Sequence, residues 1–164
     1  MTVFEGFGNV GSHVARILKS VADVTVTDVD SARLAEAQKR FGFNITSSED
    51  AYGLYSDIFV PCAESRVFTT ARLHRLNTKV ICGCTNNPFD SEESGLPIIA
   101  RKRIIYVPDY IVNSGGALRV ESHYYGIKRS DEDIQQLIGK QVAKYLQKLD
   151  NKNLIAPSAV SAKL

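Results

Sequence analysis

Thr2-Val3-Phe4-Glu5-Gly6-Phe7-Gly8-Asn9-Val10-Gly11 reads as a short strand entering a glycine turn and then a helix. Each glycine has a physical task. Gly6 lets the chain leave the strand in a tight turn, Gly8 has no Cβ to hold a pyrophosphate off the backbone, and Gly11 lets the helix pack close to the strand. A helix starting near Asn9 aims its free N–H groups and positive dipole end at phosphate oxygens. The spacing is weak on its own and needs its context. That context follows in Val24-Thr25-Val26-Thr27, a β-branched strand ending at Asp28-Val29 about 20 residues past the glycines. A carboxylate there is placed to accept from the adenosine ribose hydroxyls and to repel a 2′-phosphate, which favours NAD over NADP. Asp28 also suits the N-cap of a helix starting near Ser31, a role open to Asp30 too.

These residues need a scaffold that brings strand ends together. Val10, Val14, Ile17, Leu18 and Val21 recur at helical spacing, so the first helix is amphipathic. A second helix spans Ser31 to Phe41 and stops at Gly42, and a short strand follows at Asn44 to Thr46. The second half repeats the alternation. Asp57-Ile58-Phe59-Val60 is a strand stopped by Pro61, Thr69 to Leu76 a helix, Lys79 to Gly83 a strand, Ser91 to Arg103 a turn with an irregular helix, and Ile104 to Val107 a sixth strand stopped by Pro108. Continuous apolar runs of this kind suit a parallel sheet covered on both faces. Ile134, Leu137, Ile138, Val142, Tyr145, Leu146 and Leu149 then form one stripe of a long helix whose first turn is acidic. The expected fold is α/β: a Rossmann-type, doubly wound, mostly parallel sheet with helices on both faces, over residues 1–150, followed by a polar tail at 151–164.

Composition sets bounds. The 164 residues are 44% hydrophobic and 23% charged with a formal net charge of +2, values of a single globular domain without a basic tract for nucleic acid. No apolar run reaches the length of about 18 residues that a membrane span needs, and no signal-peptide pattern opens the chain. Three cysteines without a C-x-x-C pair argue against a disulfide framework or a zinc site, and Cys82 and Cys84 are expected to share one face of a buried strand. A reducing, cytoplasmic setting is the expectation. His13, His74 and His123 sit in helical or polar contexts that suit structural or solvated residues.

Taken together, five stretches resemble a known family in order: Gly6 to Gly11; Val26-Thr27-Asp28; Tyr52-Gly53 with Asp57 to Ala63; Asn86-Asn87-Pro88; and Pro108-Asp109-Tyr110-Ile111-Val112-Asn113-Ser114-Gly115-Gly116. The chain resembles the cofactor-binding domain of the glutamate/leucine/phenylalanine/valine dehydrogenases, nearest the leucine, valine and phenylalanine branch. The resemblance implies oxidative deamination of an L-amino acid to a 2-oxo acid and ammonia, with hydride passed to NAD. It implies that Gly6, Phe7, Gly8, Asn9, Val10, Gly11, Asp28 and Val29 hold the adenosine and pyrophosphate, and that Cys62 and Ala63 lie beside the ribose and ring. Asn86, Asn87 and Asn113 would face the nicotinamide side. Cys62 is a small filler rather than a nucleophile.

Two departures bear on activity. The family's proton-transfer groups belong to a separate N-terminal domain with a lysine in a glycine-rich setting, and no Lys-Gly-Gly or Gly-Gly-Lys occurs here. No catalytic residue is therefore assigned, and the chain alone is expected to be inactive without a catalytic domain or subunit. Where the branch usually has Leu-Gly-Gly after Pro-Cys-Ala, this chain has Glu64-Ser65-Arg66, which brings side chains to the cleft. The family's closing C-terminal helices are also missing from the pattern. The alternative expectation is a free-standing nucleotide-binding or interaction module that has lost the chemistry. Apolar surface left by the missing parts predicts a homo-oligomer.

Overall fold

A computed structural model describes residues 1–150. The six strands are β1 (Thr2–Glu5), β2 (Val24–Thr27), β3 (Asn44–Ile45), β4 (Ser56–Pro61), β5 (Thr78–Ile81) and β6 (Ile105–Tyr106). They form one sheet in the order β3-β2-β1-β4-β5-β6, and every pairing is parallel. The helices are α1 (Asn9–Leu18), α2 (Ser31–Phe41), α3 (Ser48–Ala51), α4 (Thr70–Arg75), α5 (Glu92–Arg101), α6 (Asp109–Val112), α7 (Gly115–Tyr124) and α8 (Asp131–Asp150). This is the expected Rossmann-type α/β fold. Its chain order reverses between β1 and β4, and an open sheet offers a ligand crevice at such a reversal.

Alternation along the strands builds the two layers. Phe4, Val26 and Val60 point to the face that α1 and α2 cover through Ala15 and Ala37. Val3, Phe59 and Ile81 point to the other face, where Ala51, Leu73, Ile98 and Ile99 of α3, α4 and α5 close over them. Aromatic pairs run through that second layer, from Tyr52 and Phe59 to Phe68, Phe89 and Tyr106. A third cluster lies at the β6 end, where Tyr145 and Leu149 of α8 meet Val107 and Ile111, and the Tyr145 hydroxyl donates to the Tyr106 carbonyl at 3.1 Å.

Three expectations are corrected. The α1 stripe is only partly buried: Val14 and Leu18 pack against the core beside the buried Gly11 and Ala15, while Val10, Ile17 and Val21 stand 52%, 60% and 79% exposed. Small residues let the helix axis approach the sheet, and the larger ones are left beside the contact. The α8 stripe is only half covered, with Ile134, Tyr145 and Leu149 buried and Leu137 and Leu146 exposed. Cys82 and Cys84 lie past the end of β5 and are half-buried rather than core residues of a strand. The tail at 151–164, with Pro157, lies outside the described residues.

No helix among the described residues is long and apolar enough to cross a membrane. His13, His74 and His123 are all exposed.

Candidate functional site

The glycine turn has the geometry its spacing predicts. Gly6 takes φ +102°, a conformation L side chains rarely adopt, and a Cβ there would lie 2.7 Å from the Cys62 carbonyl and the Ala63 nitrogen. A Cβ on Gly11 would fall 2.1 Å from the Gly6 carbonyl oxygen, so α1 sits directly on the turn. Gly8 differs. Its nearest neighbour would be the far end of Arg33 at 3.8 Å, so no protein atom of the described residues requires a glycine there. The space above Gly8 opens into a cavity of about 510 Å³ lined by Glu5, Gly6, Asp28, Arg33, Cys62 and Arg72, among others.

Gly8 is also the N-cap of α1, and no side chain caps the helix and no acidic residue occupies its first turn. A ten-residue helix with an uncapped N-terminus directs unpaired N–H groups and a partial positive charge toward that space. Asn9 and Val10 are exposed on this first turn, whereas the Phe7 side chain turns inward onto Phe41 and Phe43. Phe7 therefore offers the cleft its backbone only.

Asp28 closes the turn from the next strand. Its Oδ2 accepts from the Phe7 N–H at 2.7 Å and its Oδ1 from the Asp30 N–H at 2.9 Å, and its side chain is only 4% exposed. Arg33 approaches Oδ2 to 3.6 Å from the solvent side. The helix-capping role weighed for Asp28 belongs to Asp30, whose carboxylate accepts from the Ala32 N–H at 2.8 Å. Val29 beside them is 95% exposed on the rim.

Beyond β4, Cys62 and Ala63 form the opposite wall. A hydrogen bond with the Cys84 thiol, together with burial, pushes the Cys62 thiol far above its ordinary range, which keeps it protonated and suits a packing role. Glu64, Ser65 and Arg66 are exposed and line the cavity without filling it. Arg66 takes φ 61° and its N–H donates to the Asn87 carbonyl at 3.0 Å; Asn87 itself takes φ 48°. Next along, the Phe68 N–H donates to the Pro88 carbonyl at 2.8 Å and the Asp90 N–H to the Phe68 carbonyl at 3.1 Å. The loops after β4 and β5 are thus laced together.

Asn86, Asn87 and Asn113 gather at the exits of β5 and β6, away from the glycine turn. The Asn113 amide donates to the Cys84 carbonyl at 2.6 Å and to Asn86 Oδ1 at 3.0 Å, and the Asn87 N–H donates to Asp109 Oδ2 at 2.8 Å. The sequence-assigned residues therefore fall into two groups along the carboxyl ends of the strands, one at β1, β2 and β4 and one at β5 and β6.

Sequence reasoning missed Glu5. This last residue of β1 is 6% exposed, lines the cavity floor, and leaves Oε2 without a partner. Its Oε1 is hydrogen-bonded to the Tyr52 hydroxyl, with Arg72 3.8 Å away. Burial raises its carboxyl to about 7, opposed by the Tyr52 hydrogen bond and the Arg72 charge. The signal was present as an acid placed directly before Gly6 in a central, otherwise uncharged strand.

The profile of the glutamate/leucine/phenylalanine/valine dehydrogenases matches residues 30–152. The phenylalanine dehydrogenase of Caldalkalibacillus thermarum is 37% identical over 128 residues, covering 74% of this chain and 34% of that protein. The leucine dehydrogenase of Geobacillus stearothermophilus is 36% identical over 126 residues, 76% of this chain and 34% of that protein. The crystal structure of L-tryptophan dehydrogenase from Nostoc punctiforme superposes with a TM-score of 0.78 at 29% identity, covering 87% of this chain and 43% of that one. A hetero-hexameric glutamate dehydrogenase from Thermus thermophilus shares the fold with a TM-score of 0.64 at 19% identity, covering 92% and 40%. The chain spans about a third of the length of the curated relatives it matches. By the extent of the family match, together with the all-parallel sheet and its glycine turn, the chain belongs to the glutamate/leucine/phenylalanine/valine dehydrogenase family.

Proposed function

We propose that this chain is the NAD-binding part of an amino-acid dehydrogenase, with the proton-transfer groups supplied by another domain or subunit. The observation that carries the reading is Gly8: a position where a Cβ would meet only the far end of Arg33, at the uncapped N-terminus of α1, facing a cavity at the reversal of strand order. The cradle fits a dinucleotide pyrophosphate, with Gly6, Phe7, Gly8, Asn9, Val10 and Gly11 forming the turn and helix start, Asp28 and Val29 the ribose rim, and Cys62 and Ala63 the facing wall. Asn86, Asn87 and Asn113 form the nicotinamide side. When bound, NAD supplies the hydride acceptor for oxidation of the amino acid. The chain's own residues bind, orient and exclude water.

Cofactor choice follows from Asp28 and Arg33 together. The carboxylate disfavours a 2′-phosphate, while the guanidinium 3.6 Å away offsets part of that repulsion. NADH is therefore expected to bind more tightly than NADPH by a modest factor of roughly ten. The exposed Val10 and Ile17 of α1, Val21 just after it, and Val120, Tyr124 and Tyr125 at α7 provide apolar surface for another domain or for self-association.

Calorimetric titration of the purified chain with NADH, and with NADPH as control, tests the reading. Selective micromolar binding of NADH without amino-acid-dependent NADH formation is the expected result. No binding of either nucleotide would overturn it in favour of an interaction module.

A further inference from the structure

Beneath the glycine turn, Glu5 is part of a hydrogen-bond chain that can be counted proton by proton. The Tyr52 hydroxyl is bonded to Glu5 Oε1 and also lies 3.2 Å from the Val67 carbonyl oxygen. A hydroxyl has one proton, and a carbonyl can only accept. If Glu5 is ionised, Tyr52 can donate to only one of its two acceptors, and the Val67 carbonyl keeps the Arg72 guanidinium N–H at 3.2 Å. If Glu5 is protonated, Oε1–H donates to Tyr52 and Tyr52 donates to Val67, so both bonds are made at once. The surroundings agree. Glu5 is flanked in the sheet by Thr27 of β2 and Pro61 of β4, neither of which carries charge. The titratable and charged groups facing it are Tyr52 and Glu49 from the α3 side and Arg72 from α4, and Arg72 is shared with Glu49 at 3.4 Å. Across the cavity stand Asp28, Arg33, Cys62, Glu64 and Arg66.

We propose that Glu5 is a proton-linked element of the dinucleotide cleft: an anionic dinucleotide is bound with Glu5 as the neutral acid, and binding takes up a proton at this carboxyl. This inference rests on the nucleotide-binding reading above. Two effects act with the same sign. A pyrophosphate brings negative charge toward a carboxyl that lines the same cavity, and any occupant of the cavity removes water from it; each favours the uncharged form. The free carboxyl titrates near neutrality, so the proton is available for uptake in the range where the protein is handled.

The test is calorimetry of the full chain with NADH at pH 7.5 in two buffers of different ionisation enthalpy, Tris and MOPS, repeated from pH 6.5 to 8.5. The expected result is a buffer-dependent heat corresponding to net proton uptake, and an affinity that falls by up to about tenfold as pH rises across that range. The Glu5→Gln protein is expected to bind NADH with a flat pH profile and no uptake. Carbon-13 NMR of carboxyl-labelled glutamate in the unaltered protein reads Glu5 directly, whether or not that variant folds, and should show the resonance moving to its protonated position as NADH is added. NADH binding with no proton uptake and an unmoved Glu5 resonance would overturn the inference and leave the nucleotide-binding reading standing. No NADH binding at any pH would overturn that reading, and the inference with it.

Discussion

Glu5 also makes a prediction about stability that needs no ligand. Burial lifts its carboxyl from an ordinary 4.5 to about 7 in the folded chain. The folded state therefore holds the proton more tightly than the unfolded chain does. The resulting stabilisation is complete below pH 4.5 and is lost as pH rises through about 7. With about 1.4 kcal/mol per pKa unit, the part lost between pH 5 and pH 8 is about 2.5 kcal/mol. In the Glu5→Gln protein no proton is exchanged at this position, so that part of the slope disappears. The amide leaves one buried N–H group without a partner, a penalty of about 1 to 3 kcal/mol that does not vary with pH. Urea unfolding of both proteins at pH 5 and pH 8 measures the double difference, in which every other titrating group cancels, including the exposed Asp57 held low by Lys79 and the N-terminus. The gap between the two proteins should shift by about 2.5 kcal/mol in favour of the variant at the higher pH, or about 1.2 M urea for a slope near 2 kcal/mol/M. A gap constant to within about 0.5 kcal/mol would refute the account, because it would mean Glu5 is ionised in the folded chain across the whole range.

Other perturbations separate binding from folding. Gly8→Val should abolish NADH binding in calorimetry while leaving the thermal midpoint within a few degrees, because only the end of Arg33 lies near the new side chain; retained binding would remove the role given to the turn. Gly83→Ala should do the reverse. Its Cβ would lie 2.3 Å from the Pro61 carbonyl oxygen, which accepts from the Cys84 N–H at 2.7 Å, so a loss of about 1 to 3 kcal/mol in urea unfolding is expected. Asp28→Asn should cost about 1 to 3 kcal/mol as well, since an amide cannot accept from the Phe7 and Asp30 N–H groups at both its ends, and should narrow the preference for NADH over NADPH in paired titrations.

Much of the fold was readable because strand and helix signals alternate without conflict. Val24 to Thr27 is β-branched, Gly42 caps α2 in the left-handed region, and the apolar runs before Pro61 and Pro108 are buried strands as their composition requires. Which of several apolar residues on a helix meets the sheet was not readable. Periodicity marked Val10, Val14, Ile17, Leu18 and Val21, of which only Val14 and Leu18 pack against the core, because the contact is set by how closely the helix approaches, and Gly11 and Ala15 decide that. The site divided in the same way. Glycine roles followed from spacing, because Gly6 and Gly11 answer to local geometry. Glu5 and Tyr52 meet across 47 residues, a partnership that only the folded sheet creates.

The lacing of the loops after β4 and β5 has a mechanical consequence. Arg66 and Phe68 are bonded to Asn87 and Pro88, Asn87 is tied to Asp109 at the start of α6, and Phe68 and Phe89 form a parallel bridge. The rim is thus a strap fastened at several points, running from Arg66 across to the asparagines. One end cannot lift without dragging the other. A displacement at Arg66 is therefore passed to the backbone around Asn87, which couples the loop after β4 to the loop after β5.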